Sequence, residues 1–219
     1  MSNIRSLISK NIYVFDENLH KHSEANSLKE FLYFLKFKDH NEIVDFSCSN
    51  GTDSLHHKLT IKENFMLDSI PASLIRNDES NLNEFLNTIK NPYLVDLVEK
   101  LGLLSQKVST LSPEKIKLTS IIKSLISASE YVILIKPEDY QTSKTINTLI
   151  KCIEFETKHN LKNIFIAPKN FDIWLATTTC IISKCQKTHQ YIETKNPLNE
   201  SNQSFKPTYN FSLSYKKAS

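Results

Sequence analysis

LSPEKIKLTSIIKSLISASEYVILIKPEDYQTS, residues 111–143, orders the rest of the chain around itself. Ser112 is placed to cap a helix, and Pro113 stands at the first helical position, where its missing N–H costs nothing. Ile121, Ile122, Leu125 and Ile126 give that helix an apolar face. Tyr131 to Ile135 is then a continuous apolar run, the pattern of a parallel strand covered on both sides. Pro137 closes it with a turn.

Outward from this run the alternation continues. A helix is predicted from about Ser143 to Lys158 through Ile146, Leu149, Ile150 and Ile153. A strand over Asn163–Ala167 follows, then a short helix around Phe171–Leu175 and a strand over Thr179–Ser183. Upstream, Ile4, Leu7, Ile12 and Val14 mark one or two strands, and Leu28, Phe31, Leu32 and Leu35 mark a helix. Ile43–Phe46 reads as a short strand and Cys48–His57 as a polar loop. Leu82, Phe85, Leu86 and Ile89 mark a further helix and Tyr93–Leu101 another, with Asn91-Pro92 as the break between them. Strands alternating with helices predict an α/β fold with a mostly parallel sheet flanked by helices. The 219 residues suit one domain with a small helical subdomain. The predicted division is a main domain over 1–185, its helical part at about 66–110, and a polar tail over 186–219, with one added strand near Tyr191-Ile192.

Composition removes several function classes. The chain has 2 glycines in 219 residues, against an average usage of about 7%. Loops that cradle phosphate need glycine, because their N–H groups must converge at crowded or positive backbone angles. Gly51 and Gly102 are isolated, so a glycine-rich P-loop, a dinucleotide fingerprint and a kinase-type loop are all excluded. A net charge of +3, with the basic residues dispersed, gives no footprint for nucleic acid. Cys48, Cys152, Cys180 and Cys185 form no CxxC pair and read as reduced, mostly buried thiols. No 18-residue apolar stretch occurs, and MSNIRSLISKNIYVF lacks an apolar run of signal-peptide length. The expectation is a cytoplasmic chain whose Asn-X-Ser/Thr sequons are chance matches.

Five landmarks in fixed order resemble the ATP-binding cassette (ABC) ATPases. Thr60-Ile61-Lys62-Glu63-Asn64-Phe65 is similar to the LT-v-x-E-N stretch that follows the Q-loop in that family. Leu97 to Leu103 resembles the L-x-x-v-G-L segment before the signature. Leu111-Ser112 keeps the first letters of the LSGGQ signature, and Pro137 keeps the register of Walker B. Ile164-Phe165-Ile166-Ala167-Pro168 stands where the family has a strand ending in Thr-His. The resemblance spans about residues 11–185 and implies a P-loop NTPase-type architecture. It begins too late to include the strand that carries the family's adenine-stacking aromatic.

The same alignment implies that the catalytic residues are gone. The Walker A position falls on residues 20–27, where His20 and Ala25 replace glycines, Asn26 replaces the lysine and Ser27 alone remains. Ile135 and Lys136 take the Walker B Asp and catalytic Glu positions. A cation thus replaces the general base, a group usually worth about 10²–10⁴-fold in rate. Pro168 replaces the switch histidine. In the signature, Leu111, Ser112, Pro113, Glu114 and Lys115 place a carboxylate where glycine backbone would meet a γ-phosphate. No Q-loop glutamine is evident before Thr60.

The implied function is that of a catalytically inactive ABC-type protein, an interaction, scaffold or regulatory subunit of a membrane-associated complex. No cofactor is expected, and ATP binding is not expected. Expected partners are proteins: an intact ABC ATPase, a membrane subunit, or a second copy in a homodimer or heterodimer, with no nucleic acid. Two alternatives stand beside this one. One is a nucleotide-binding subunit that retains weak ATP binding and pairs with an intact ATPase at the inner face of the membrane. The other is an unrelated soluble α/β enzyme. Among remaining side chains, His20, His22, His56 and His57 read as solvated rather than metal-binding. Glu138-Asp139 read as helix-start charges, Lys136 as solvated or ion-paired, and Trp174 as core.

Overall fold

The computed structural model describes residues 11–16, 45–69, 87, 89–184 and 191–199. The predicted elements before residue 11, between 17 and 44, and at 82–86 lie outside them, as do Cys185 and the Walker A position at 20–27.

Among the described residues six strands form one sheet. β1 (Ile12–Phe15) lies inside it, between β4 (Asn163–Ala167) and β5 (Cys180–Lys184), and both pairings are parallel. On the other side of β4 comes β3 (Tyr131–Ile135), then β2 (Phe46–Ser49), again parallel. β6 (Tyr191–Lys195) adds antiparallel to β5, so the order is β2-β3-β4-β1-β5-β6. This is the mostly parallel α/β sheet that the alternation predicted, including the added strand at Tyr191.

One segment shifted. The strand predicted at Ile43–Phe46 is described over Phe46–Ser49, so it runs into the stretch from Cys48 read as a polar loop, and residues 43 and 44 lie outside the described residues. Its small residues Ser47, Cys48 and Ser49 pair with Val132, Ile133 and Leu134, so the neighbouring strand, not local apolarity, makes them extended.

The helices with described bounds pack on one face. They are α1 (Ile61–Ser69), α2 (Pro92–Leu101), α3 (Pro113–Ile126), α4 (Ser143–His159) and the single turn α5 (Asp172–Leu175). Alternate strand residues divide between two cores, as the pleat requires. Val14, Val132, Leu134, Ile164 and Ile166 join the helical side, with Leu97, Ile122, Leu149 and Trp174. Tyr13, Phe15, Ile133, Phe165 and Ile182 form the other, where the Tyr13 and Phe165 rings stack 4.5 Å apart.

Caps explain the helix boundaries. α1 opens with a reciprocal capping box. Glu63 Oε2 accepts from the Thr60 N–H at 2.7 Å, and the Glu63 N–H donates to Thr60 Oγ1 at 3.1 Å. The Thr60 pair holds the Glu63 carboxyl below its ordinary pKa range. Asn64 is fully buried and bonds to both N–H and C=O of His56, which fastens the preceding loop. The Thr60–Phe65 landmark is thus explained by folding alone. α2 is capped by Asn91, whose Oδ1 accepts from Tyr93 and Leu94 N–H, and it ends at Gly102, φ 77°. Asn91 does more than break a helix. Its buried amide also donates to the Cys152 carbonyl at 3.0 Å and to Glu156 Oε1 at 2.9 Å, joining α2 to α4.

Candidate functional site

The residues that the sequence resemblance places at the signature (111–115) and Walker B (135–137) meet at the carboxyl end of β3. Ser112 caps α3, accepting from the Lys115 N–H, and Pro113 follows at the first turn. Leu111 is buried in the core. The Lys115 ammonium reaches back to the Leu101 carbonyl at 2.9 Å and closes the end of α2. Glu114 points its charge to solvent, and its carbonyl accepts from Gln141 Nε2 at 3.1 Å. The five residues LSPEK therefore form a joint between α2, α3 and the turn after β3. Leu103 and Tyr140, both about two-thirds exposed, flank that joint as an apolar rim.

That turn, residues 136–141, is strained and closed. Lys136 has φ 45° and Tyr140 φ 63°, the left-handed region that side chains seldom occupy. In a chain so poor in glycine, other residues must take these angles. The Lys136 N–H donates to the Ala167 carbonyl at 2.7 Å, continuing the β3–β4 ladder past Ile135. The Ile135 carbonyl accepts from the ammonium of Lys117, which comes up from α3.

Glu138 corrects the sequence reading. It is buried and starts no helix, since α4 begins only at Ser143 under a Thr142 cap. Its Oε1 accepts from the backbone N–H groups of Lys169 and Asn170, and Trp174 Nε1 donates to its Oε2 at 3.4 Å. The carboxylate is a clamp that binds the loop after β4, where Pro168 stands, to the turn after β3. Trp174 is fully buried, as predicted. Asp139 pairs with the exposed Lys169 at 3.4 Å, a contact worth little in water.

Burial also pulls the Lys117 ammonium below the ordinary lysine pKa, against the pull of Asp139 and Glu138, which raise it. Lys117 escaped the sequence reading because it sits among polar positions of an amphipathic helix. Two more lysines did likewise. Buried Lys123 donates to the Ser54 carbonyl at 3.0 Å. Buried Lys162 donates to the carbonyls of Leu125 and Ser127, closing the carboxyl end of α3.

A nucleotide with magnesium would need carboxylate and hydroxyl oxygens facing this seam. The described part offers Ile135, a cationic Lys136 and a Glu138 already committed to backbone donors. Among the described residues no cluster of three His, Cys, Asp or Glu could hold a metal. The described residues at this seam do not fit the magnesium of a working cassette.

Known structures share this fold. A dimeric post-hydrolysis structure of the ATP-binding cassette MJ0796, bound to ADP and Pi, superposes with a TM-score of 0.58, 14% identity and 85% of each chain covered. This chain has the fold of an ABC ATPase cassette. A second dimeric MJ0796 structure matches at 0.56 with 12% identity over 80% of this chain and 81% of that one. An inward-facing putative metal-chelate type ABC transporter matches this cassette fold at 0.56 and 9%, covering 86% and 72%. No protein-family model and no curated protein matches the chain. The sequence landmarks thus led to the right fold from residues too few for alignment. No described helix is long and apolar enough to cross a membrane.

Proposed function

We propose that this cassette-fold protein is catalytically inactive and serves as an interaction, scaffold or regulatory subunit of an ABC-type membrane-associated complex. The observation that carries the reading is Glu138. The carboxylate near the end of β3 is spent on holding the loop at Lys169-Asn170, while Ile135 and Lys136 occupy the Walker B positions. A buried ammonium, Lys117, adds positive charge beneath them. Activating water here would require a carboxylate that is not already saturated with donors.

On this reading the protein binds no cofactor and works at the inner face of the membrane, against protein partners. The rim of Leu103, Glu114 and Tyr140 is the surface it offers them. A second reading keeps weak ATP binding and pairs the chain with an intact ATPase as a nucleotide-binding subunit. The likeness to a dimeric cassette bound to ADP and Pi favours it.

Three measurements on the purified full chain separate these. MgATP binding by titration calorimetry, phosphate release, and co-purification from the native cell decide between them. No binding and no turnover, with an intact ATPase or a membrane subunit recovered, supports the first reading. Binding without turnover supports the second. Turnover that Ser27→Ala or Lys136→Ala abolishes would sink both.

A further inference from the structure

At the far end of α3, away from the LSPEK joint by the length of a 14-residue helix, a cleft of about 460 Å³ opens beside the edge strand β2. Its volume lies within the range of small-ligand sites, about 300–1,000 Å³. Half of its ten lining residues are serine: Ser47 and Ser54 from the β2 side, Ser124, Ser127 and Ser129 from the end of α3. Such a wall recognises ligands by hydrogen bonds.

The serines are not all engaged. Ser127 Oγ donates to the Ser124 carbonyl at 2.8 Å, and Ser54 Oγ bonds to Gly51 and Ser120. Ser124 is only 2% exposed and Ser129 7%; neither hydroxyl makes a hydrogen bond among the described residues, yet neither oxygen is sealed from solvent. Both line the cleft, so a bound molecule would take the place of water on two hydroxyls that no protein group engages among the described residues.

The charges select the class. Asp45 and Lys123 line the same cleft with opposite sign, and the Lys123 ammonium is already bonded to the Ser54 carbonyl. The carboxyl end of α3 adds a partial negative charge. An anion gains little in that field, and the described residues give no carboxylate cluster for a metal. Phe46 presents a partly exposed ring at the mouth, suited to the C–H face of a sugar. We infer that the serine cleft between β2 and the carboxyl end of α3 binds a small neutral polyhydroxylated molecule of mono- or disaccharide size. The inference is independent of any nucleotide or partner bound at the opposite end.

Saturation-transfer NMR on the full chain tests it, with glucose, myo-inositol and maltose as probes and inorganic phosphate and putrescine as controls. Ser124→Ala and Ser129→Ala are the variants. Neither removes a hydrogen bond from the fold, and an unchanged melting curve confirms that each is folded. The expected result is saturation transfer to at least one polyol, weakened about fivefold by either variant, the loss of one hydrogen bond, with no transfer to phosphate or putrescine. The inference is overturned if no polyol responds at about 10 mM, a concentration well above millimolar dissociation constants. It is equally overturned if phosphate or putrescine binds instead, or if both variants bind as the parent does.

Discussion

Glu138 Oε1 accepts the backbone N–H of Asn170 at 2.6 Å, across 32 residues of sequence. The turn after β3 and the loop after β4 are therefore one unit. Glu138→Ala is expected to lower stability by about 2 kcal/mol, the worth of a charge-assisted pair of bonds partly recovered by water. The check is a urea midpoint that falls with its slope unchanged. Trp174, the only tryptophan of the chain, loses its Glu138 contact, so its native-state fluorescence should change as well.

Asn91 combines a helix cap with a buried bridge to Glu156. Asn91→Ala should cost about 3 kcal/mol, cap and bridge together. Asn91→Asp keeps the capping oxygen but faces a second carboxylate at Glu156. Its folded-state acid is then raised, so stability is retained at low pH and lost as pH rises through the carboxyl range. Thermal melts between pH 4 and about 8 decide. A pH-independent loss would show that the bridge is not electrostatic.

Lys162 has its pKa lowered by burial, against the opposing pull of Glu156. Between the depressed folded value and the ordinary 10.5 the unfolded chain binds more protons, so this group makes stability rise with pH. Lys162→Met should remove that rise and, at neutral pH, cost about 2 kcal/mol through the orphaned carbonyls of Leu125 and Ser127. The observable is the difference in unfolding free energy between parent and variant as pH rises toward 10.5.

The Cys48 thiol is pushed up to about 11 by burial, Lys117 opposing. Cys152, buried and beside Glu156, is raised further. Both should resist alkylation at pH 8 until the chain unfolds, read by mass spectrometry of labelled peptides. The linkage sign is opposite to that of Lys162. Cys48 contributes stability that is full below its unfolded value of 9.0 and is lost as pH rises toward 11. Labelling of Cys48 as fast as a free peptide would contradict its half-buried placement and raised pKa.

Leu161 is 59% exposed with φ 56°. Its side chain gains little from burial, while its backbone pays the left-handed cost. Leu161→Gly should therefore stabilise by up to about 1 kcal/mol, the strain relieved less the extra freedom of glycine when unfolded. A lower melting temperature would refute the strain argument.

The strands and helices from Ser112 onward were legible because their causes are local: a cap, a proline, a continuous apolar run. β2 was not, because FSCS carries no apolar signal and is extended by its neighbour. The start of α1 was available in Thr60-x-x-Glu63, a capping-box spacing that the family likeness overshadowed. The site was less legible than the fold. Lys117, Lys123 and Lys162 look like solvated charges in sequence, and only tertiary packing aims each at a carbonyl. Glu138 looked like a helix-start charge because its true partners, Lys169 and Asn170, lie a strand and a helix away.

These lysines have a mechanical meaning. α3 is tied to the tip of β3 through Lys117, to the Gly51–Ser54 turn through Lys123 and to the start of β4 through Lys162. Three tethers along one helix leave it no axis about which to turn against the sheet. A protein that presses on Glu114 and Tyr140 therefore meets a fixed strut. Force applied there is delivered to the whole sheet at once instead of being absorbed by a yielding arm.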